Sequence, residues 1–276
     1  MNFNIIKKIV YATNCTEHSS TALKYTYAIR KIFDADLIVL HVVTSSQKLS
    51  KKETTNLLLE EKNRLRDFCS SQLGDSLKNF DLTISVVTGE SPIKGILDFV
   101  KDMNLQMLVI GACGAGPIRE LLFGSLAKEM ITHPEFPILT IPQAYEYKTP
   151  KRILYTTDFE EEDIFYLKKL VETFSTHISK ISVVHIIKKD DKPEKIKEQE
   201  EKFEKLKLAN FDSSKLEYEL IYSNNVVDAL SNFIKEEDID IVAMLERKNQ
   251  QKSNLLHKDV VKQIYSSVKV PLLIFK

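Results

Sequence analysis

Short apolar runs alternate with longer amphipathic stretches along the first half of the chain. The apolar runs are rich in β-branched residues and predict five strands, "KKIVYAT", "ADLIVLHVV", "DLTISVVTG", "LQMLVIG" and "FPILTIP". The stretches between them have helical spacing and predict four helices, "EHSSTALKYTYAIRKIF", "SKKETTNLLLEEKNRLRDFCSSQL", "SPIKGILDFVKDM" and "SLAKEMITH". Strands that are apolar throughout are typical of a parallel sheet covered on both faces. The alternation therefore predicts an α/β fold of the doubly wound kind.

The same pattern returns in the second half of the chain. "KKIVYATNC" at Lys7 is similar to "KRILYTTDF" at Lys151, an offset of 144 residues, and His41 has its counterpart in His185 at the same offset. Further along, the offset is 134, so the second copy has about ten residues fewer (144 − 134) in its second helical region. We predict two tandem domains, residues 1–146 and residues 150–276, with the boundary near "QAYEYKTP".

Composition and charge exclude several classes of protein. The 39 basic residues are balanced by 39 acidic ones, which gives no electrostatic reason to expect a nucleic acid or an anionic membrane as partner. The chain has no apolar run of the roughly 20 residues that a membrane helix needs, and no signal-peptide pattern at its start. Its three cysteines are widely spaced and odd in number. A cytoplasmic location is therefore expected.

Glycine is concentrated in one stretch, "GACGAGPIRELLFGS", from Gly111 to Ser125, which holds four of the seven glycines. The stretch follows the predicted fourth strand and leads into a predicted helix at Ser125. Free N–H groups at a helix N-terminus bind phosphate, and glycine lets the backbone approach an anion closely. The P-loop motif does not fit, because no lysine precedes Ser125, and the glycines lack the order of the Rossmann fingerprint. The stretch nevertheless predicts a phosphate-binding loop at the end of a strand.

The glycine stretch has the spacing G-x2-G-x9-G-[S/T], and with it the chain resembles the universal stress protein (UspA-like) family in its tandem form. The opening "KKIVYATNCTEHSSTALKYTYAI" and the "LHVV" of the second strand are similar to that family too, so the resemblance covers essentially the whole chain. It implies that each domain is a five-stranded parallel sheet in the order 3-2-1-4-5, flanked by helices. It also implies binding of ATP or ADP, often with a divalent metal such as Mg²⁺ at the phosphates. Pairing of the two fifth strands would make an intramolecular pseudo-dimer, with a homodimer of whole chains left open.

The resemblance also implies roles for residues at the ends of the first, second and fourth strands. Ala12 and Thr13 would line the adenosine through their backbone, and Val42 would offer its backbone to adenine. Ile110 would pack against the nucleoside. Asn14 stands where the family usually has Asp, and an uncharged amide is a weaker acceptor for the ribose hydroxyls.

The phosphates would be held mainly by backbone N–H groups, those of Gly111, Gly114, Gly124, Ser125 and Leu126. Arg119 lies inside the nine-residue spacer, where a guanidinium folded over a phosphate and a solvated loop side chain are equally open interpretations. No catalytic residue and no metal ligand of the protein's own is predicted.

The second copy has lost the glycine motif. At offset 134 the residues that replace Gly111, Gly114, Gly124 and Ser125 are Leu245, Lys248, Lys258 and Asp259. Asp158 nevertheless keeps the acid that the first copy lacks at Asn14. We predict that the second domain does not bind ATP in the manner of the family, because bulky side chains would block the approach of a phosphate to the backbone.

The remaining polar residues favour structural interpretations. His41 and His185 occupy equivalent strand positions, which favours a shared structural role, and the other histidines lack metal-ligand spacing. Cys15 and Cys113 both fall beside the proposed site, as a redox-sensitive pair or as small packed side chains. "KKDDKPEKIKEQEEKFEKLKLAN" predicts a solvent-exposed helix with charge pairs four residues apart.

The function that these observations favour is a stress-response regulatory protein. Its first domain would bind ATP or ADP, and the nucleotide would order the loop of residues 111–124 and so change a surface presented to an unknown protein partner. Two alternatives remain open. One is a slow ATPase, for which the loop offers Glu120 alone as an acidic group, and the other is a scaffold that acts only through protein contacts.

Overall fold

The computed structural model divides the chain into two compact units, Met1–Tyr147 (unit 1) and Lys148–Lys276 (unit 2). The residues that it describes are 7–16, 19–44, 50–74, 82–112, 126, 129–130, 136–143, 145–159, 162–174, 176–209, 214–246 and 269–275.

Unit 1 is a parallel sheet of five strands in the order β3-β2-β1-β4-β5, as the resemblance implied. The paired strands of unit 2 are also parallel, and their order β8-β7-β6-β9-β10 repeats the arrangement. The elements of unit 1 are β1 Lys7–Ala12, α1 Ser20–Phe33, β2 Ala35–Thr44, α2 Lys51–Leu73, β3 Leu82–Gly89, α3 Pro92–Val100, β4 Leu105–Ala112 and β5 Ile138–Pro142. Those of unit 2 are β6 Arg152–Thr156, α4 Asp163–Phe174, β7 Lys180–Ile187, α5 Pro193–Lys207, β8 Leu216–Tyr222, α6 Val226–Glu236, β9 Ile241–Leu245 and β10 Leu272–Phe275.

The inner strands are buried along successive residues, so both faces of each sheet are covered. Ile9, Val10 and Tyr11 of β1 are fully buried although their side chains point alternately to opposite faces. The same holds for Ile153, Leu154 and Tyr155 of β6. Burial on both faces is the reason that these strands are apolar throughout.

The second helix of each unit accounts for the difference in length between the two copies. Helix α2 has 23 residues and α5 has 15. At offset 134, the whole of α5 aligns with residues 59–73 of α2. The first two turns of α2, residues 51–58, therefore have no counterpart in unit 2, which confirms the predicted shortening of the second helical region.

Two glycines outside the glycine stretch allow β2, β3 and α3 to pack closely. A Cβ atom added to Gly95 would overlap Cγ1 of Val42, and one added to Gly89 would lie 2.9 Å from the Cα of Gly95. Neither contact leaves space for a methyl group. These glycines therefore fix the position of Val42 near the carboxyl end of β2, a role that the sequence did not reveal.

We expect Gly95→Ala to destabilise the protein by about 1–3 kcal/mol, because the new methyl group must displace Val42 or the start of α3. The measurement is urea unfolding of the variant beside Val42→Ala and the double variant. If the contact is the cause, the double variant will be less destabilised than the sum of the two single changes. Strict additivity would contradict this explanation.

Candidate functional site

The carboxyl ends of β1 and β4 lie side by side in unit 1. The two strands pair in parallel, with Ala12 opposite Ile110. The chain runs from β1 to β2 on one side of this point and from β4 to β5 on the other. The connections that follow the two strands therefore leave in opposite directions. Such a point is the usual ligand site of an open parallel sheet. Ala12 and Ile110 are both buried, and they give the site an apolar floor.

Backbone and histidine hydrogen bonds hold the turn that follows β1. The N–H of Thr13 donates to the carbonyl of Leu40 (2.9 Å), and the Nδ1–H of His41 donates to the carbonyl of Thr13 (2.8 Å). Cys15 adopts a left-handed conformation (φ 59°), and its N–H donates to Oγ1 of Thr13 (3.1 Å). The turn is therefore tied to the end of β2, and the predicted structural role of His41 is confirmed.

Asn14 is exposed at this edge, but its amide oxygen already has partners. Oδ1 accepts hydrogen bonds from Oγ of Ser19 (2.8 Å) and Oγ1 of Thr16 (3.0 Å). Both donors belong to the turn that leads into α1. A ribose hydroxyl would have to compete with them for the same oxygen. This competition is a second reason, besides the lack of a negative charge, to expect Asn14 to bind ribose weakly.

Gly111 has a packing role in addition to the predicted role in phosphate binding. A Cβ atom at this position would lie 3.3 Å from the Cβ of Ala22, on the first turns of α1. That distance is tighter than an ordinary contact, so the glycine lets α1 approach the end of β4. The N-terminus of α1 thereby lies close to the proposed site.

The structure brings together six of the seven predicted site residues that it describes. Ala12, Thr13, Asn14, Ile110 and Gly111 lie at the carboxyl ends of β1 and β4, and Val42 lies near the end of β2. Leu126 is helical and half-buried. The other predicted residues lie outside the described part of the chain, namely Gly114, Arg119, Gly124 and Ser125. The phosphate-binding roles of these four stay predictions.

A group of charged side chains on α2 adjoins the turn after β1. Oε2 of Glu61 lies 3.6 Å from Nε2 of His41 and 2.9 Å from Nε of Arg64. Burial raises the pKa of the Cys15 thiol, and the neighbouring Arg64 guanidinium opposes that rise. No pattern in the sequence indicated this contact between α2 and the turn after β1.

Cys69 is the cysteine that the structure relates to Cys15. It is fully buried on α2, and burial, followed by the charge of Cys15, raises the pKa of its thiol to about 12. The sequence suggested Cys113 as the neighbour of Cys15, but Cys113 lies outside the described residues. The internal repeat could have indicated that Cys69 is the neighbour. At the offsets of 144 and 134, Cys15 aligns with Phe159 and Cys69 aligns with Phe203, and the rings of these two phenylalanines are in contact in unit 2.

The same edge of unit 2 is filled differently. The ring of Phe159 lies 4.2 Å from the imidazole of His185 and 6.3 Å from the ring of Phe203. Asp163, at the position of Ser19, is buried and accepts hydrogen bonds from the hydroxyls of Tyr155 and Thr157, both at 2.6 Å. Aromatic packing and a buried carboxylate therefore occupy the positions that in unit 1 carry two thiols and a serine.

The described residues contain no group of three or more His, Cys, Asp or Glu side chains that could hold a metal ion. Within the same residues, no helix combines the length and the apolar character that crossing a bilayer requires.

The charge-rich helix predicted after Pro193 is confirmed as α5, and Lys202 pairs with Glu198 at 2.6 Å, four residues apart.

The fold is that of a tandem α/β protein with a candidate ligand site at the carboxyl edge of its first sheet. The model of the universal stress protein family matches residues 6–142. Through this first unit the chain belongs to the universal stress protein family.

Two curated relatives come from Methanocaldococcus jannaschii. Universal stress protein MJ0577 is 24% identical over 154 residues, which cover 49% of this chain and 94% of the relative. Universal stress protein MJ0531 is 25% identical over 152 residues, which cover 54% of this chain and 86% of the relative. A solved universal stress protein from Archaeoglobus fulgidus is similar over 98% of both chains, with a TM-score of 0.71 and 14% identity. This last likeness extends over both units and is one of fold.

We expect unit 2 to lose stability as the pH falls. Burial lowers the pKa of the His185 imidazole below its usual value of 6.5, although the hydrogen bond to Thr157 opposes the shift. Below pH 6.5 the unfolded chain therefore binds more protons than the folded one, and the free energy of unfolding decreases by up to about 1.4 kcal/mol per pH unit.

Urea unfolding between pH 8 and pH 5.5 measures this effect against His185→Asn, which keeps a donor for the carbonyl of Thr157 but does not titrate. The difference in unfolding free energy between the native protein and the variant should shrink towards low pH. A difference that is independent of pH would show that burial does not perturb His185.

Proposed function

We propose that unit 1 binds an adenine nucleotide, ATP or ADP, at the carboxyl ends of β1 and β4, and that the protein acts as a stress-response regulator. The observation that carries the proposal is the place of the glycine motif. Gly111 is at the end of β4, beside β1, in the unit that the family model matches. The motif then continues with the family's spacing through Gly114 and Gly124 to Ser125.

The described residues fit a nucleotide at this edge. Ala12 and Ile110 supply an apolar surface for the nucleoside, and the turn from Thr13 to Cys15 is held in place by His41. The described positions of the site carry no carboxylate, so a bound Mg²⁺ would be held chiefly through the phosphate oxygens.

Regulation would operate through the loop of residues 111–124. A nucleotide that binds one arrangement of this loop more tightly than others shifts the population towards it, by no more than the difference in affinity. The altered surface would then be presented to a protein partner. Unit 2 takes no nucleotide in this proposal, because Leu245 and Lys258 replace glycines of the motif.

The first test is calorimetric titration of ATP with Mg²⁺ into the whole chain. We expect about one ATP per chain, lost in Gly124→Lys, which places in unit 1 the residue found in unit 2. Lys258→Gly, the reverse change at the equivalent position of unit 2, is the matched control and should bind ATP as the native protein does. Absence of binding by the native protein would contradict the proposal and favour a scaffold that acts through protein contacts alone.

The second test concerns the ribose. In Asn14→Asp one carboxylate oxygen can keep Ser19 and Thr16 as partners while the other accepts a ribose hydroxyl. A hydrogen bond to a charged group contributes about 1.5–3 kcal/mol, so ATP should bind about tenfold more tightly or better. The same titration with 2′,3′-dideoxy-ATP is the control. An equal gain for the dideoxy compound would show that Asn14 does not face the ribose.

A further inference from the structure

The turn after the first strand of each unit holds its third residue in a strained backbone conformation. Cys15 has φ 59°, and Phe159, which aligns with it, has φ 63°. Residues other than glycine rarely adopt this left-handed region. In both turns the N–H of this residue donates to a threonine hydroxyl at 3.1 Å. Such a conformation persists only where the surroundings hold it, so each unit must supply contacts that do so.

In unit 1, two charged side chains of α2 contact the turn. Nε of Arg64 lies 2.9 Å from Oε2 of Glu61, and the guanidinium also lies beside the thiol of Cys15. The same oxygen of Glu61 is 3.6 Å from Nε2 of His41. The other ring nitrogen of that histidine donates to the carbonyl of Thr13. The pair therefore reaches both the first and the third residue of the turn.

The equivalent positions of α5 in unit 2 face solvent instead. At offset 134 they hold Lys195 and Glu198, so both charges are reversed. Both side chains are more than half exposed, and they pair with Asp191 at 2.7 Å and with Lys202 at 2.6 Å. The turn of unit 2 is packed by the ring of Phe159, 4.2 Å from the imidazole of the equivalent histidine. Of the two units, the one with the glycine motif is thus the one whose turn is contacted by a charged pair on its second helix.

We infer that the Glu61–Arg64 pair positions the turn of residues 13–15 for the nucleotide, with Glu61 acting through His41. The inference rests on the proposed function and adds two positioning residues to the proposed site. Asn14 is the middle residue of the turn, so its position depends on the residues on either side. The side chains of Glu61 and His41 are only 19% and 12% exposed, so salt screens their contact less than that of a surface pair. Without the pair, the strained turn would adopt other arrangements, and apparent affinity falls with the fraction of the turn that is competent to bind.

The test is calorimetric titration of ATP with Mg²⁺ into the whole chain, with Glu61→Gln compared with Glu60→Gln. Both changes remove one negative charge from the same turn of α2, but Glu60 is exposed on another face of the helix. We expect Glu61→Gln to weaken ATP binding about tenfold, as for a turn that is competent about a tenth of the time. Glu60→Gln should bind ATP within about twofold of the native affinity. A purely long-range effect of charge has the opposite sign, because removing a negative charge favours an anionic ligand.

Two further measurements separate positioning from a general loss of structure. Inorganic tripolyphosphate, which has no nucleoside, should bind Glu61→Gln as it binds the native protein. Removing the whole pair, by Glu61→Gln with Arg64→Gln, keeps the net charge and should weaken ATP binding at least tenfold. The matched control is Lys195→Gln with Glu198→Gln at the equivalent positions of unit 2, which should bind ATP as the native protein does. Circular dichroism and urea unfolding confirm that each variant is folded.

ATP binding at native or higher affinity in both Glu61→Gln and the pair variant would overturn the inference and leave the proposed function intact. An equal loss of affinity for ATP and tripolyphosphate would overturn it as well, since the pair would then act on the whole unit. If the native protein does not bind ATP, the proposed function is wrong and the inference fails with it.

Discussion

The carboxyl edge of each sheet depends on one hydrogen bond, from a histidine on the second strand to the backbone of the turn after the first. His41 donates to the carbonyl of Thr13, and His185 donates to that of Thr157, both at 2.8 Å. The bond links a turn that is not part of the sheet to a strand that is, and it fixes the tautomer of each ring. The two copies retained this bond while other side chains around it changed, so it belongs to the scaffold on which a site is built.

Sequence reasoning could predict the frame because strand burial, helix periodicity and the internal repeat all lie in local patterns. The order of the strands, by contrast, came from the family resemblance, since periodicity does not reveal which strands are neighbours. The charged contact from Glu61 to His41 and the neighbourhood of Cys69 and Cys15 were not predicted. Both depend on how a helix lies across the sheet, which is a tertiary property. The repeat contained part of the answer, because Phe159 and Phe203 occupy the positions of the two cysteines.

The two units show how one frame accepts two kinds of interior at its ligand edge. Where unit 1 has Ser19, unit 2 has the carboxylate of Asp163, and two hydroxyl groups satisfy it in its buried position. A buried carboxylate needs such donors, because burying an unpaired charge is very unfavourable. An anion and packed aromatic rings at this edge would oppose a phosphate chain by repulsion and by steric exclusion, in line with the proposal that unit 2 binds no nucleotide. The loss of the glycine motif and the filling of the edge are therefore consistent changes.

Three glycines of the first half lie where the backbone closely approaches another segment: a Cβ atom does not fit at Gly89 or Gly95 and would be tight at Gly111. Gly89 and Gly95 lie against Val42, and Gly111 lies against Ala22 on α1. In unit 2, Ser223, Ala229 and Leu245 stand at the three equivalent positions, so the corresponding segments must be spaced to admit side chains. The close packing of these segments therefore matters for the proposed site of unit 1 as well as for its stability. The same glycines fix the position of Val42 and bring α1 close to β4, at the edge where a nucleotide would lie. A substitution at any of the three would act on stability and on binding together, which is a reason for glycine to persist in the unit that keeps the motif.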